Sequence, residues 1–229
     1  MKEVIDGDTI ILLQGEKVRY LGINAPETMT WDGKRWIQKP QICGEKAKLF
    51  NQRLVEGKKV MLEYDQEKRD PYKRLLAYVR VGEVFVNGEL LRQGLALMDV
   101  RAPNLKYQKL FVNLQKEARD FHRELWGKIG KYMVSDQEAF NHIGEIGSIR
   151  GIIASVRFGR EKLYLNFGEN VQEDFTCIIY QENLKNFSLR SSSPIKYFFK
   201  RRVTVYGVIK NINGPAMIIC APSQIDFLN

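Results

Sequence analysis

Histidine is almost missing from this chain: only His122 and His142 occur in 229 residues. Neither sits beside an obvious partner in the sequence, so a histidine general base or a His-rich metal centre is not indicated. Cysteine is nearly as scarce. Cys43, Cys177 and Cys220 are odd in number, far apart and form no CxxC pair, which argues against a disulfide framework and a zinc site and leaves them as small buried hydrophobes. No run approaches the roughly 20 consecutive apolar residues that a membrane span requires, and the N-terminus has no apolar export-signal core. The chain therefore reads as soluble, with no membrane partner. It opens directly into Lys2-Glu3-Val4-Ile5, a very short strand before a turn; an upstream segment, and with it any export signal, would have to precede this, and the compartment stays open. Chemistry, if present, must come from carboxylates and arginines.

Hydrophobic residues make up 44% of the chain, enough to bury a core in each of two domains. Lys and Arg number 36 against 27 Asp and Glu, a net charge of +9 that suits a polyanionic partner such as nucleic acid and also many merely soluble proteins. Both halves are basic.

In the first half, Thr9 to Leu13 and Lys17 to Leu21 are compact apolar runs separated by the turn Gln14-Gly15-Glu16. Gly44 to Val55 places Ala47, Phe50 and Leu54 at helical spacing and is stopped by Gly57. Strands follow at Val60 to Tyr64 and Leu75 to Val81, the element order of a small five-stranded OB-type barrel. Helices are expected at Gly88 to Gly94 and at Lys106 to Trp126, the second with Leu110, Leu114, Ala118, Phe121 and Leu125 along one face. From Gly147 the texture changes to short β-rich runs: Ser148 to Val156, Leu163 to Phe167, Phe175 to Tyr180, Val203 to Ile209 and Ala216 to Ala221, with Gln181 to Phe199 helical or irregular. This repeats the same order, so the fold class is β-rich α+β, two OB-like barrels. The divisions are residues 1–133, a linker at 134–145, and 146–229.

Asp6-Gly7-Asp8-Thr9 sets two carboxylates around a glycine between two strands. Such a turn can hold a hard cation through oxygen ligands, or be an ordinary Asp-Gly turn. Arg19 lies in a strand whose alternate residues face inward, and at a barrel mouth it would meet those carboxylates; the bland reading is a solvent-facing arginine. In Asn24-Ala25-Pro26-Glu27-Thr28, Pro26 fixes the chain and Glu27 is either a general base on water or a loop decoration. Asp70-Pro71-Tyr72-Lys73-Arg74 puts a second arginine at a strand start. Met29 to Cys43, with Trp31, Lys34, Arg35, Trp36 and Lys39, interleaves aromatics and cations that would stack on and steer a strand, or form a surface loop.

Taken together, these residues carry a resemblance. Val4-Ile5-Asp6-Gly7-Asp8-Thr9 followed by Val18-Arg19-Tyr20-Leu21-Gly22-Ile23-Asn24-Ala25-Pro26-Glu27-Thr28 is similar to the opening of the staphylococcal nuclease (thermonuclease) family. The likeness continues through Gly44-Glu45-Lys46-Ala47, Gly57-Lys58-Lys59-Val60, Asp70 to Tyr78, Val86 to Ala96 and Leu125-Trp126, over about residues 3 to 127. The resemblance implies a Ca2+-dependent nuclease acting on DNA and RNA with low sequence specificity. By motif position, Asp8 and Asn24 would be calcium ligands through their side chains and Ala25 through its carbonyl. Glu27 would be the general base, Arg19 and Arg74 would hold the phosphate, and Tyr72 would contact the terminal phosphate of a bound nucleotide. A planar guanidinium fork fits phosphate oxygens independently of any family. Two departures stand out: the founding nuclease has Asp where this chain has Asn24, which lowers the expected cation affinity, and the segment Leu97 to Asn104 lacks the tyrosines that flank the nucleotide base there.

The second half resembles, more weakly, the OB-like nucleic-acid-binding modules that follow thermonuclease domains in some larger proteins. Leu163 to Gly168, Asp174-Phe175-Thr176 and Val205 to Ile209 carry that likeness. Arg157, Arg160, Lys162, Lys200, Arg201 and Arg202, with Phe158, Tyr164 and Phe199, form either a strand-binding face or core aromatics with a solvated basic rim. The rival reading of the whole chain is a non-catalytic nucleic-acid-binding module on the same fold. No protein partner is evident, and a monomer is expected.

Overall fold

In the computed structural model, which describes every residue except 32–33, 171, 189–192 and 229 (and only the backbone of Trp31), the chain divides into two units, Met1–Gly127 and Lys128–Asn229. In the first, the alternating sequence before Gly15 makes strands β1 (Glu3–Val4) and β2 (Thr9–Ile11), and Gly15, with φ of 88°, turns the chain into β3 (Lys17–Tyr20). After Leu21 the chain continues as β4 (Gly22–Asn24), and a short hairpin follows, β5 (Thr30–Trp31) and β6 (Trp36–Ile37). Helix α1 (Gly44–Val55) has the span expected from its spacing, but Gly44, Ala47, Asn51 and Val55 are the buried face while Phe50 and Leu54 are only half-buried. Then come β7 (Met61–Glu63), β8 (Leu75–Val81), β9 (Val84–Phe85), α2 (Val86–Arg92), β10 (Leu97–Asp99), α3 (Gln108–Asp120) and α4 (Leu125–Lys128).

The strands pair in the order β1-β2-β3-β8-β7, with β9 on β8; β3 and β8 are parallel and the other ladders antiparallel. Thus Arg19 lies opposite Leu76, and the two arginine-bearing segments meet. A separate antiparallel ladder joins β4 to β10. This unit is a curled β-rich sheet with helices, of α+β class. Where a five-stranded OB-type barrel was expected, the curled main sheet fits an OB-like fold but has six strands, and β4, β5, β6, β9 and β10 lie outside the expected strands because two- and three-residue strands leave too short a run to show a period.

The long helix expected over 106–126 is broken. His122, at φ of 51°, takes the left-handed conformation, and Arg123 N–H donates to the Ala118 carbonyl at 2.9 Å, a helix-ending bond of the Schellman kind. Its buried face is Gln108, Phe111, Gln115 and Ala118; Leu110 and Phe121, placed on that face by the sequence reading, are exposed. The face runs one residue out of phase from the leucine row because Phe111 fills the space against Gly22, where a Cβ would come within 2.4 Å of its ring.

The second unit holds β11 (Met133–Ser135), a 3-10 segment (Asp136–His142), β12 (Ile146–Ile152), β13 (Ser155–Phe158), β14 (Lys162–Asn166), β15 (Thr176–Tyr180), α5 (Gln181–Leu184), α6 (Pro194–Phe198), β16 (Arg202–Val208), β17 (Lys210–Asn211), β18 (Pro215–Ile218) and β19 (Ile225–Leu228). One sheet runs β11-β12-β16-β19 and the other β13-β14-β15-β18-β17. The segment read as a linker, 134–145, includes the end of β11 and the 3-10 segment, and its Ala139 is buried in the same cluster as Ile149, Leu165, Phe175, Val205 and Met217. His142, given no partner by its sequence neighbours, lies 2.9 Å from the Glu145 carboxylate three residues on. None of the three cysteines is in a disulfide; Cys177 and Cys220 are buried and Cys43 is half-buried. Among the described residues no helix is long and apolar enough to cross a membrane.

Candidate active site

The turn between β1 and β2 is pressed against two neighbours. A Cβ at Gly7 would come within 2.5 Å of the Ala25 Cβ and 2.8 Å of the Ala47 Cβ, so only glycine lets the carboxylate turn lie against both α1 and the loop after β4. Asn51, fully buried on α1, pins the turn from below: its amide donates to the Asp6 carbonyl at 3.1 Å and its oxygen accepts from the Tyr20 hydroxyl at 2.9 Å. Asp6 in turn accepts from the Asp8 N–H at 2.9 Å.

Asp8 is consequently buried, at 4% exposure, among partners that suit a carboxylate. Its Oδ2 meets Arg19 Nη1 at 2.9 Å and accepts the Ala25 N–H, and its Oδ1 accepts from the Thr9 hydroxyl at 3.2 Å. Burial pushes the Asp8 carboxyl well above the usual range; Arg19 and the Ala25 N–H pull it down, while the charges of Asp6 and Glu27 push it further up. Arg19 also donates from Nη1 to the Ile23 carbonyl at 2.9 Å and from Nη2 to Asn24 Oδ1 at 3.0 Å. One guanidinium thus bridges Asp8 and Asn24, so Asp8, Asn24, Ala25 and Arg19 stand together.

Glu27 is exposed, but its backbone is fixed. Its N–H donates to Gln41 Oε1 and its carbonyl accepts the Gln41 N–H, both at 2.9 Å, and a Cβ at Gly44 would come within 2.4 Å of that carbonyl oxygen. The start of α1 therefore sets where Glu27 projects. On the other flank, Asp70 Oδ1 accepts the N–H groups of Tyr72 and Arg74, each at 2.9 Å, and Asp70 Oδ2 meets Arg74 Nε at 2.6 Å. The Arg74 guanidinium carbon lies 5.6 Å from the centre of the Tyr72 ring, which is 82% exposed. A pocket of about 200 Å3 is lined by both Arg19 and Arg74, together with Glu67, Asp70, Asp99, Arg101 and Asn104.

Among the described residues no group of three or more His, Cys, Asp or Glu gathers as a metal cluster. The donors at Asp8, Asn24 and the Ala25 carbonyl are all hard oxygens: one carboxylate, one amide and one peptide oxygen. That set fits a calcium-type ion whose shell is completed by water, and not a zinc-type ion. Burial and the charges of Asp6 and Glu27 disfavour the Asp8 carboxylate, and a cation there would act in the same sense as Arg19 does.

Sequence reading missed Asn51, Gln41, Asp70, Asp99 and Arg101. Asp70 carried a signal, its spacing of four from Arg74; the others carried none that a linear reading weighs. On the Met29–Cys43 segment, Trp36 stands 63% exposed at the hairpin of β5 and β6, whereas the Trp31 side chain and residues 32–33 lie outside the described residues.

This geometry can be set beside known proteins. The family described as Staphylococcal nuclease homologue matches residues 17–128. A thermonuclease of Staphylococcus intermedius is 39% identical over 133 residues, covering 55% of this chain and 74% of that protein. A thermonuclease of Staphylococcus hyicus is 38% identical over 130 residues, 54% of this chain and 72% of its own length, and the endonuclease YncB of Bacillus subtilis is 40% identical over 139 residues, 57% and 62%. Identity at this level over most of two relatives' lengths, with the family match at residues 17–128, leaves one assignment: the chain belongs to the staphylococcal nuclease family.

Proposed function

We propose that this chain is a calcium-dependent nuclease that hydrolyses phosphodiester bonds of DNA and RNA with little sequence preference. The observation that carries the reading is the pocket that Arg19 and Arg74 share, with the Asp8 and Asn24 oxygens held beside Arg19. The relatives named thermonuclease and endonuclease support it.

In this reading Arg19 and Arg74 grip the non-bridging oxygens of the scissile phosphate from two sides and stabilise the charge that grows there as water attacks. Asp70 keeps the Arg74 fork in one orientation, and the Tyr20 and Ile23 carbonyls do the same for Arg19. Glu27, exposed on a fixed backbone, takes the proton of the attacking water. Tyr72, whose ring lies beside the Arg74 guanidinium, contacts a terminal phosphate. Asp8, Asn24 and the Ala25 carbonyl would hold a calcium ion, which would supply positive charge against the phosphate and a site for the attacking water.

The second unit is proposed as an OB-like barrel that binds the nucleic-acid strand. Its ladders support this: β12 runs through Ile153 into β13, then β14, β15, β18 and β17 follow by pairing, and β17 continues from β16, which pairs back to β12. Arg157 lies opposite Tyr164 across β13 and β14, and Phe158 and Phe199 are exposed, which favours a binding face over core aromatics at those two positions.

The test is digestion of single-stranded DNA and RNA by the full chain, with calcium and with a chelator. Cleavage of both with calcium, and at least about a 100-fold loss without it, is the expected result, the scale of removing an electrostatic catalyst. Strand binding without any cleavage would replace the proposal with a non-catalytic binding module.

A further inference from the structure

A third arginine shares the pocket of Arg19 and Arg74. Arg101 lies just after β10, and its position is fixed from two directions. Asp99 sits opposite Gly22 in the β4–β10 ladder and its carboxylate accepts from Arg101 Nε at 2.9 Å. The Asn104 N–H donates to the Arg101 carbonyl at 3.0 Å, and the Asn104 side-chain oxygen accepts the Glu67 N–H at 2.9 Å, which ties this loop to the segment leading to Asp70 and Arg74. The pocket thus has three arginines, each oriented by its own aspartate: Arg19 by Asp8, Arg74 by Asp70 and Arg101 by Asp99. Their side chains are 16%, 31% and 38% exposed in that order, so Arg101 is the most accessible of the three.

A single phosphate group offers too few oxygens to take three guanidinium forks, whereas a nucleic-acid strand brings one phosphate with every nucleotide. We infer that Arg101 is a specificity-determining residue that binds the backbone phosphate next to the one held by Arg19 and Arg74, so that the site favours a polynucleotide over an isolated phosphodiester. The inference rests on the nuclease reading of this pocket. Contact through phosphate makes the preference independent of base and sensitive to salt.

The experiment compares kcat/KM of the full chain, with calcium, on a single-stranded DNA ten-mer and on a dinucleotide that has one phosphodiester bond. In Arg101→Gln the ratio between the two substrates should fall about tenfold, mainly through KM on the ten-mer, and the salt dependence of that KM should lose the slope of about one phosphate contact. Arg101→Lys keeps the charge without the fork; it should keep the salt slope while losing part of the ratio, and it supplies the same comparison if the Gln variant does not fold. A ratio and salt slope at wild-type values in Arg101→Gln would overturn the inference, as would an equal loss on both substrates, which would make Arg101 a support of the scissile phosphate itself. Wild-type protein that cleaves neither substrate would sink the nuclease reading instead.

Discussion

The two units bury polar groups to different ends. In Met1–Gly127, three helices each send a fully or nearly fully buried amide into the strands around the site. Asn51 of α1 holds Tyr20 and Asp6; Asn87 of α2 donates to the Leu21 carbonyl at 2.9 Å and accepts the Val79 N–H at 2.8 Å; Gln115 of α3 accepts the Met98 N–H at 2.7 Å. In Lys128–Asn229 the buried amide of Gln224 bonds the Cys220 N–H and the Ile218 and Tyr206 carbonyls, bracing β18 and β16, while the candidate binding residues Arg157, Phe158 and Arg160 stand in solvent over an apolar core. A site that must keep carboxylates and arginines in register is held by paired polar groups, whose burial is costly unless every bond is made. A face that attracts a strand by charge tolerates more freedom and needs only a firm core beneath it.

The largest effect that separates the two is expected at Glu27. Glu27→Gln should lower kcat by at least about 10², the scale of a lost general base, with the thermal transition unmoved because the side chain is exposed. A variant that degrades DNA as fast as wild type would remove Glu27 from its role. Next in size is Asn51→Ala, which strands the Tyr20 hydroxyl in the core and removes the bond to the half-buried Asp6 carbonyl. We expect a loss of about 1–3 kcal/mol in stability, read from denaturant unfolding, chiefly from the buried hydroxyl left without its partner. A loss below about 0.5 kcal/mol would show that the turn is held by the packing of Gly7 alone. Smaller again is removal of the second unit after Gly127: the remaining chain should fold and cleave short oligonucleotides at the wild-type rate, with KM on long strands raised about tenfold, since every assigned catalytic group lies in the first unit. Equal KM values for long strands would leave the second unit without a binding role.

The convergence of Asp8, Arg19, Asn24 and Ala25 was legible in the sequence because a turn and the following strand and loop bring nearby residues together, and because their types form a recognisable set. Arg74 was legible only through the family motif, since it is the parallel β3–β8 ladder that brings it beside Arg19. Asn51 and Gln41 were not: an amide within a helix or loop reads as a surface residue until the strand it braces is known. Arg101 is far along the chain from both Arg19 and Arg74, the other arginines of its pocket, so only the β4–β10 ladder reveals that it joins them. At α3 the leucine row gave the buried face only in part, with Ala118 on it but Phe111 and Gln115 in place of Leu110 and Leu114, because Gly22 leaves the room that Phe111 fills. In the second unit β14, β15, β16 and β18 were legible within a few residues, whereas β12 and β13 read as one run and β11, β17 and β19 were missed, being short runs of two to four residues.

The smallest effect is expected at Asp136, in the segment read as a linker and found within the second unit. Burial pushes its carboxyl above the ordinary range; its own backbone N–H opposes this, and the negative charge of Asp174 adds to the rise. The folded protein therefore binds the Asp136 proton more tightly than the unfolded chain does, so protonation favours folding. That stabilisation is fully present below the unfolded value, near pH 4, and is lost as pH rises through the folded value. At pH 7 the carboxylate is ionised in both states, and the native state alone bears its partial desolvation and the repulsion from Asp174. Asp136→Asn should remove both. After allowance for solvent screening of a half-exposed group, the gain at pH 7 is on the order of 0.5 kcal/mol, or roughly 2–4 °C in the melting of a unit of this size. The measurement is a melting series of the full chain and the variant from pH 3 to pH 8. The gap should close as pH falls toward 3, where Asp136 is protonated in both states; a gap of constant size would place its cause in packing and not in charge.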